Sequence, residues 1–271
     1  MRIYNPALGR FFSVDPISSK YPELTPYQFA SNSPILGIDK DGEEFKNANA
    51  YNKWMKSGIG SLKIEKIDNG YGNVQTQLFT LKAMGNAKDF AKLKETFISS
   101  PEKFTNNPLA TYEPQGQIYM EAGKAPTLEK GNEIMIKTHG LPGELLMPIF
   151  VRVTDVDDKN PNSFSMTFKT LEGHTDAGFI TFSGILNPDG TMEVNIYNVT
   201  RENVEGGFGL GASRGIQQKQ WKNVINNIAN FIGKDKKISA TSHVEEYKFD
   251  STKENKMGDA VGDNSKTEEI K

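Results

Sequence analysis

The part of this chain that most restricts its fold is the stretch from Asn132 to Gly233. Five segments, residues 134–137, 148–154, 163–170, 178–185 and 191–199, are runs of alternating, β-branched or aromatic residues. A period of two gives each strand one apolar face that must be covered. Asn187-Pro188-Asp189-Gly190 is a tight-turn sequence that joins the last two segments as a hairpin. Beyond a glycine-rich run, Gly206-Gly207-Phe208-Gly209-Leu210-Gly211, the spacing changes. Trp221, Val224, Ile225, Ile228, Phe231 and Ile232 recur three and four apart, the apolar stripe of one helix, and Gly233 ends it. A sheet and a helix with one apolar surface each bury those surfaces against each other. The expected class is α+β: an antiparallel sheet of about five or six strands packed on one long C-terminal helix, with a smaller mixed α/β N-terminal portion.

That smaller portion covers residues 43–130. A short helix is expected near residues 47–55, strands near 62–67 and 74–82, and a second helix after the capping Asn86, with Phe90, Leu93, Phe97 and Ile98 on its apolar side. Pro101, Pro108, Pro114 and Pro126 then punctuate a connection read as loop. Residues 131–250 form the sheet-and-helix domain. Residues 251–271 are polar and charged with almost no large apolar groups, and are expected to be a disordered tail.

Composition narrows the chemistry. Of 271 residues 36% are apolar and 16 are Phe, enough for a substantial core. There is no cysteine, which removes disulfides, thiolate metal ligands and thiol nucleophiles. Thirty-two basic against 34 acidic residues, without a basic patch, give no electrostatic footprint for nucleic acid. No apolar run of about 18 residues predicts a membrane span, and no signal-peptide pattern opens the chain. Asp155, Asp157 and Asp158 lack the spacing and glycine of a calcium loop, so no metal and no cofactor is expected.

Against this background a few polar residues stand out. His174 lies in Leu171-Glu172-Gly173-His174-Thr175-Asp176-Ala177-Gly178, between two strands, where Asp176 could hold one imidazole tautomer. Arg201 and Arg214 flank the glycine run at the start of the long helix. With Gly209, Gly211, Ser213 and Gln217 they suit an anion at a helix N-terminus. The candidate catalytic set is therefore His174, Asp176, Arg201 and Arg214. The competing account makes His174 a turn residue bonded locally and pairs Arg214 with a neighbouring acid. Gly211-Ala212-Ser213-Arg214-Gly215 has the spacing of a nucleophile elbow, with Asp235 and His243 following, but it lacks the buried apolar strand that such an elbow requires. His139 reads as a turn histidine. Phe164, Phe168, Phe179 and Phe182, read as alternating on the sheet, would line an apolar pocket under the gripping helix.

Two resemblances add to this reading. Ile3-Tyr4-Asn5-Pro6-Ala7-Leu8-Gly9-Arg10-Phe11, Val14-Asp15-Pro16, Tyr27-Gln28-Phe29-Ala30-Ser31-Asn32-Ser33-Pro34 and Ile38-Asp39-Lys40-Asp41-Gly42 resemble, in order, the end of an Rhs/YD-repeat core. The resemblance implies a secreted shell upstream of residue 1, so that this chain is a fragment. It also implies an effector region after residue 42, used as a toxin against competing cells, with a cognate immunity protein as partner. Such an effector leaves the cell within the larger protein; expressed alone, this fragment would stay in the cytoplasm. Asp15 and Asp39 match the positions associated with self-cleavage in such cores, although Lys40 stands where proline is usual; locally the same residues make turns. Within residues 132–232, Lys169-Thr170-Leu171-Glu172-Gly173-His174-Thr175-Asp176-Ala177-Gly178-Phe179, then Arg201, Arg214 and Gln217, resemble the family known as domain of unknown function 1990. That family carries no activity to import. The functional expectation is thus an effector, with an enzyme on an anionic substrate as one form it could take; the alternatives are a non-enzymatic hydrophobic-ligand or lipid-binding module, or an inactive orphan fragment.

Overall fold

The computed structural model describes residues 4–5, 10–11, 14, 46–115, 127–138, 148–203, 212–233, 236–262 and 265–270. Strands β1 (Tyr4–Asn5) and β2 (Arg10–Phe11) pair with each other. The body is one antiparallel sheet built from β3 (Tyr71–Met84), β4 (Ala110–Gln115), β5 (Glu133–Thr138), β6 (Ile149–Asp157), β7 (Ser163–Thr170), β8 (Asp176–Leu186), β9 (Thr191–Glu202), β10 (Ile238–Phe249), β11 (Met257–Ala260) and β12 (Lys266–Glu269). Its order is β11-β10-β3-β9-β8-β7-β6-β5-β4, with β12 also on β10. The helices are α1 (Lys46–Ser57), α2 (Ala87–Ser99), α3 (Glu102–Thr105) and α4 (Ala212–Ile232). Among the described residues, no helix is long and apolar enough to cross a membrane.

This sheet corrects the expected α+β architecture of five or six strands beside a separate mixed portion: it has ten strands and dominates the molecule. The missing strands had two causes. Strand β3 is legible as a strand, but its partners β9 and β10 lie far away in sequence, and register with distant strands leaves no local trace. Strands β10 and β12 carry Ser, Thr, Glu and Lys where a core strand would carry aliphatic residues, and β11 is only the four residues Met257–Ala260. Residues 251–271, expected to be disordered, therefore include β11 and β12. In the proline-punctuated connection β4 pairs with β5; Pro114 is tolerated because β4 ends the sheet. Residues 62–67, expected as a strand, make only the isolated bridge Ile64 to Leu171 and lead into a 3-10 turn, Ile67–Asn69.

Side chains on one sheet face meet α2, α3 and α4. Phe79, Leu81 and Ala83 on β3, Met192, Val194 and Ile196 on β9, and Phe164 and Phe168 on β7 form one core with Phe90, Leu93 and Phe97 of α2 and Val224, Ile225 and Ile228 of α4. Each fully buried side chain of this size contributes about 1.5–3 kcal/mol of transfer free energy. Helix α2 begins where the Asn86 side chain accepts from the backbone N–H groups of Lys88 (2.9 Å) and Asp89 (3.1 Å). The hairpin turn between β8 and β9 places Gly190 at φ +84°, a backbone state that glycine adopts without penalty.

The other face of β5 and β6 carries α1. Ala50, Leu62, Met135, Phe150 and Leu171 make a second, smaller core, and Trp54 stacks on Phe150 with ring centroids 5.0 Å apart. Glu133, fully buried, accepts from Trp54 Nε1 (2.8 Å), Gly60 N (3.0 Å) and Arg152 Nη2 (2.6 Å). Arg152 Nη2 also donates to the Leu62 carbonyl (2.8 Å), so this buried ion pair ties α1 and its following loop to the sheet.

Candidate functional site

Along β3 and β9 the residues facing the helices change character at a paired position. From one end they are apolar, Ala83, Leu81 and Phe79 on β3 against Met192, Val194 and Ile196 on β9; then Gln77 stands opposite Asn198, followed by Gln75 and Thr200. A cavity of about 220 Å³ lies under α4 at this transition. Its walls are mostly apolar, with Ile134, Ile136, Val151, Met166, Phe168 and Phe182 among them, and its polar members include His174 just before β8 and Asp176 at its start, Asn198 and Thr200 on β9, and Gln217 and Gln220 on α4.

Asn198 is 1% exposed and lines the cavity, and neither its amide nitrogen nor its oxygen has a hydrogen-bond partner among the described residues. Gln220 Oε1 and Trp221 Nε1, also in the wall, are without partners as well. The Gln220 nitrogen is used: it donates to the Thr105 carbonyl (3.0 Å) and to the Tyr112 hydroxyl (3.2 Å). Burial pushes the Tyr112 phenol far up, so it stays neutral.

His174 and Asp176 both line the cavity. The turn that presents them is set by Gly173 at φ +85° and by the His174 N–H bond to the Leu171 carbonyl (2.9 Å). His174 Nδ1 accepts from the Asp176 backbone N–H (3.0 Å), which leaves Nε2 as the protonated nitrogen of the neutral ring. Burial lowers the imidazole to about 4. Asp176 is raised to about 7, first by burial and then by the negative charge of Glu202, its cross-strand partner, while Arg214 and the Thr175 side chain pull the other way.

Arg214 does not reach this end as a free cation. Its Nη1 is bonded to Glu246, its Nε lies 3.4 Å from Glu202, and its Nη2 donates to the Asn73 carbonyl (3.1 Å). Gln217, one turn along α4, lines the cavity and accepts from Gln77 (3.0 Å). The Gln77 nitrogen also bonds Gln75, which donates to Glu246 (3.2 Å), so a chain of amides joins the cavity to the Arg214 ion pairs.

Of the residues singled out from sequence, the structure therefore brings His174, Asp176 and Gln217 together, with Arg214 behind them. Arg201 is elsewhere: its Nε donates to Gly72 O (3.1 Å), its Nη1 to Ile67 O (3.0 Å), and its guanidinium stacks 3.6 Å over Phe249. Asp15, Asp39, His139, Gly209, Gly211 and Asp235 lie outside the described residues, as does the Ser213 side chain. His243 is on β10, bonded to Thr267 (2.8 Å) and near Glu245 (3.2 Å), away from Ser213 in sequence and from the cavity wall. Among the four phenylalanines, Phe168, Phe179 and Phe182 line the cavity, whereas Phe164 packs on Phe90 and Phe97. Phe179 is also out of phase with Phe182 and meets Tyr197 edge-on. Asn198, Gln220 and Gln77 were not singled out. For Asn198 and Gln77 the signal was a break in phase, a polar residue where the two-residue strand period calls for an apolar one; Gln220 lies on helix α4, where that period does not apply.

Comparison with known proteins adds the following. Salivary gland surface protein 1 of Aedes aegypti is 45% identical over 42 residues, 16% of this chain, and the chain spans about 1% of that protein's length. Truncated norcoclaurine synthase from Thalictrum flavum overlays with a TM-score of 0.42 at 11% identity, covering 60% of this chain and 97% of that one. A conserved protein from Geobacillus kaustophilus overlays at 0.37 and 14% identity, covering 60% and 98%. Ginseng major latex-like protein 151 from Panax ginseng does so at 0.37 and 14%, covering 58% and 96%. Residues 106–221, the stretch that holds His174, Asp176, Asn198 and Gln217, match the family described as domain of unknown function (DUF1990).

Proposed function

We propose that this chain binds a small, largely apolar molecule in the cavity under α4. The observation that carries the reading is the cavity itself: about 220 Å³ enclosed by aliphatic and aromatic side chains, with a few convergent polar groups at one end. Ligand sites are built this way, although most are larger, about 300–1,000 Å³. Binding without turnover fits the electrostatics better than chemistry on an anion. The described charged groups at the polar end are Asp176, Glu202 and Glu246 against one arginine, and the donors of that arginine are engaged.

N-phenyl-1-naphthylamine, a neutral apolar dye, tests this. Saturable fluorescence enhancement with the full chain is expected. Ala110→Trp, which places an indole in the cavity wall at a residue 4% exposed, should abolish it while the circular dichroism spectrum is unchanged. Non-saturable enhancement, or enhancement indifferent to Ala110→Trp, overturns the reading.

For an effector role against competing cells the support is the motif order of residues 1–42. Under that reading the pocket is the working part, and the effector acts by taking up a ligand. Expression of the full chain in a bacterial host should then slow growth, and Ala110→Trp should relieve the effect. Equal growth of cells making either protein in soluble form would count against it.

A further inference from the structure

Resting on the pocket reading, we infer that Asn198 is the recognition residue for the ligand's head, and that the head is a neutral planar group with a donor and an acceptor on the same carbon, the chemistry of a carboxamide. Asn198 occupies a position where the two-residue period of β9 places Met192, Val194 and Ile196, all fully buried and apolar. A leucine would continue the stripe. Instead the chain sets an amide there, 1% exposed, and leaves both its polar atoms without partners in the wall of a cavity. Buried amides are rarely left so, and a planar donor next to an acceptor is matched by another planar acceptor and donor. The surroundings extend the match. Gln220 Oε1 is a second open acceptor and Trp221 Nε1 a second open donor in the same wall.

Charge selects within that class. Asp176 lines the cavity, Glu202 faces it across the strand pair, and Glu246 lies behind on β10. Arg214, the one described cation among them, is shared between Glu202 and Glu246. His174, the remaining titratable neighbour on the turn before β8, is held neutral by the bond at its Nδ1 and by burial. A carboxylate head would lie near two glutamates that share one arginine, with no lysine or arginine among the described residues lining the cavity, whereas an amide head carries no charge to be opposed.

Two probes of the same shape decide this, octanamide and methyl heptyl ketone, which differ by an NH₂ in place of a CH₃. Both are titrated against the full chain by displacement of the naphthylamine dye, with octanoate as the anionic member. The wild-type chain should favour octanamide over the ketone, and octanoate should bind weakest. In Asn198→Leu the amide-to-ketone affinity ratio should fall by about tenfold. Should that variant fail to fold, the ¹⁵N-labelled wild-type chain still answers, because the Asn198 side-chain amide resonances should shift with octanamide and move differently with the ketone. Probes that bind without a preference that Asn198 controls overturn the inference and leave the pocket standing. If no probe and no dye binds saturably, the pocket reading has failed and the inference with it.

Discussion

The two faces of the sheet treat buried polarity in opposite ways. Under α1 the fully buried Glu133 is surrounded by Trp54, Gly60 and Arg152, each donating to it. Under α4 the equally buried Asn198 meets no donor and no acceptor among the described residues, and Gln220 and Trp221 beside it keep one open atom each. One site is closed chemistry and the other is open. A protein able to complete a buried polar cluster on one face, yet leaving a cavity with unpartnered atoms on the other, marks the second as the place where something from outside completes the set. The cost of each open atom, about 1–3 kcal/mol, is the kind of local penalty that folds carry at functional sites.

The contrast can be broken most forcefully at Glu133. Glu133→Ala strips the partner from Arg152, whose side chain is 20% exposed, and should cost about 3–5 kcal/mol in chemical denaturation, because it leaves a largely buried charge uncompensated. A loss under about 1 kcal/mol would mean that α1 and its loop give way to water at little cost, and that the closed site is less closed than its hydrogen bonds imply.

An intermediate effect is expected from pH, where His174 and Asp176 pull in opposite directions. The imidazole is lowered from 6.5 to about 4, so its contribution is complete above pH 6.5 and is lost as pH falls through 4. The carboxyl is raised from 3.8 to about 7, so its contribution is complete below 3.8 and is lost as pH rises through 7. Between pH 4 and 6.5 the two slopes oppose each other and the wild-type profile should be shallow. In Asp176→Asn the histidine acts alone, and stability should rise with pH across that window by up to about 1.4 kcal/mol per unit. His174→Gln should give the reverse, a decline that continues to about pH 7. Parallel profiles for both variants would show that the two groups do not titrate as their burial dictates.

The smallest change is expected from the open site. Asn198→Leu removes two unpartnered atoms and fills space, so the ligand-free protein should gain up to about 1 kcal/mol, or lose nothing measurable. A clear loss in melting temperature would place Asn198 in a satisfied network, and the two faces would no longer differ.

Much of the fold was written locally. Asn86 capping α2, the stripe from Trp221 to Ile232, the strands between Glu133 and Glu202 and the turn at Gly190 follow from propensity, capping and period, which act over a few residues. His174 and Asp176 could be chosen because glycine-flanked polar groups near strand ends are conspicuous, and Gln217 because it lies in the first turns of a helix that follows a glycine run. Arg201 was equally conspicuous, yet the backbone carbonyls of Ile67 and Gly72 use its donors.

By itself, then, the sequence determined the strands β3 and β5 to β9, the helices α1, α2 and α4, where several of them stop, and that cysteine chemistry is absent, whereas β4, β10, β11 and β12 were not legible in it. Only the tertiary structure decided how many strands share one sheet, since β3 finds β9 and β10 through side chains and backbone groups far away along the chain. It alone also distinguished a buried polar atom that is satisfied from one that is not. Glu133, which opens β5, and Asn198, within β9, are both polar residues beside apolar strand positions. Whether a partner stands within 3 Å is fixed by the packing of distant elements, and periodicity along one strand carries no information about that distance.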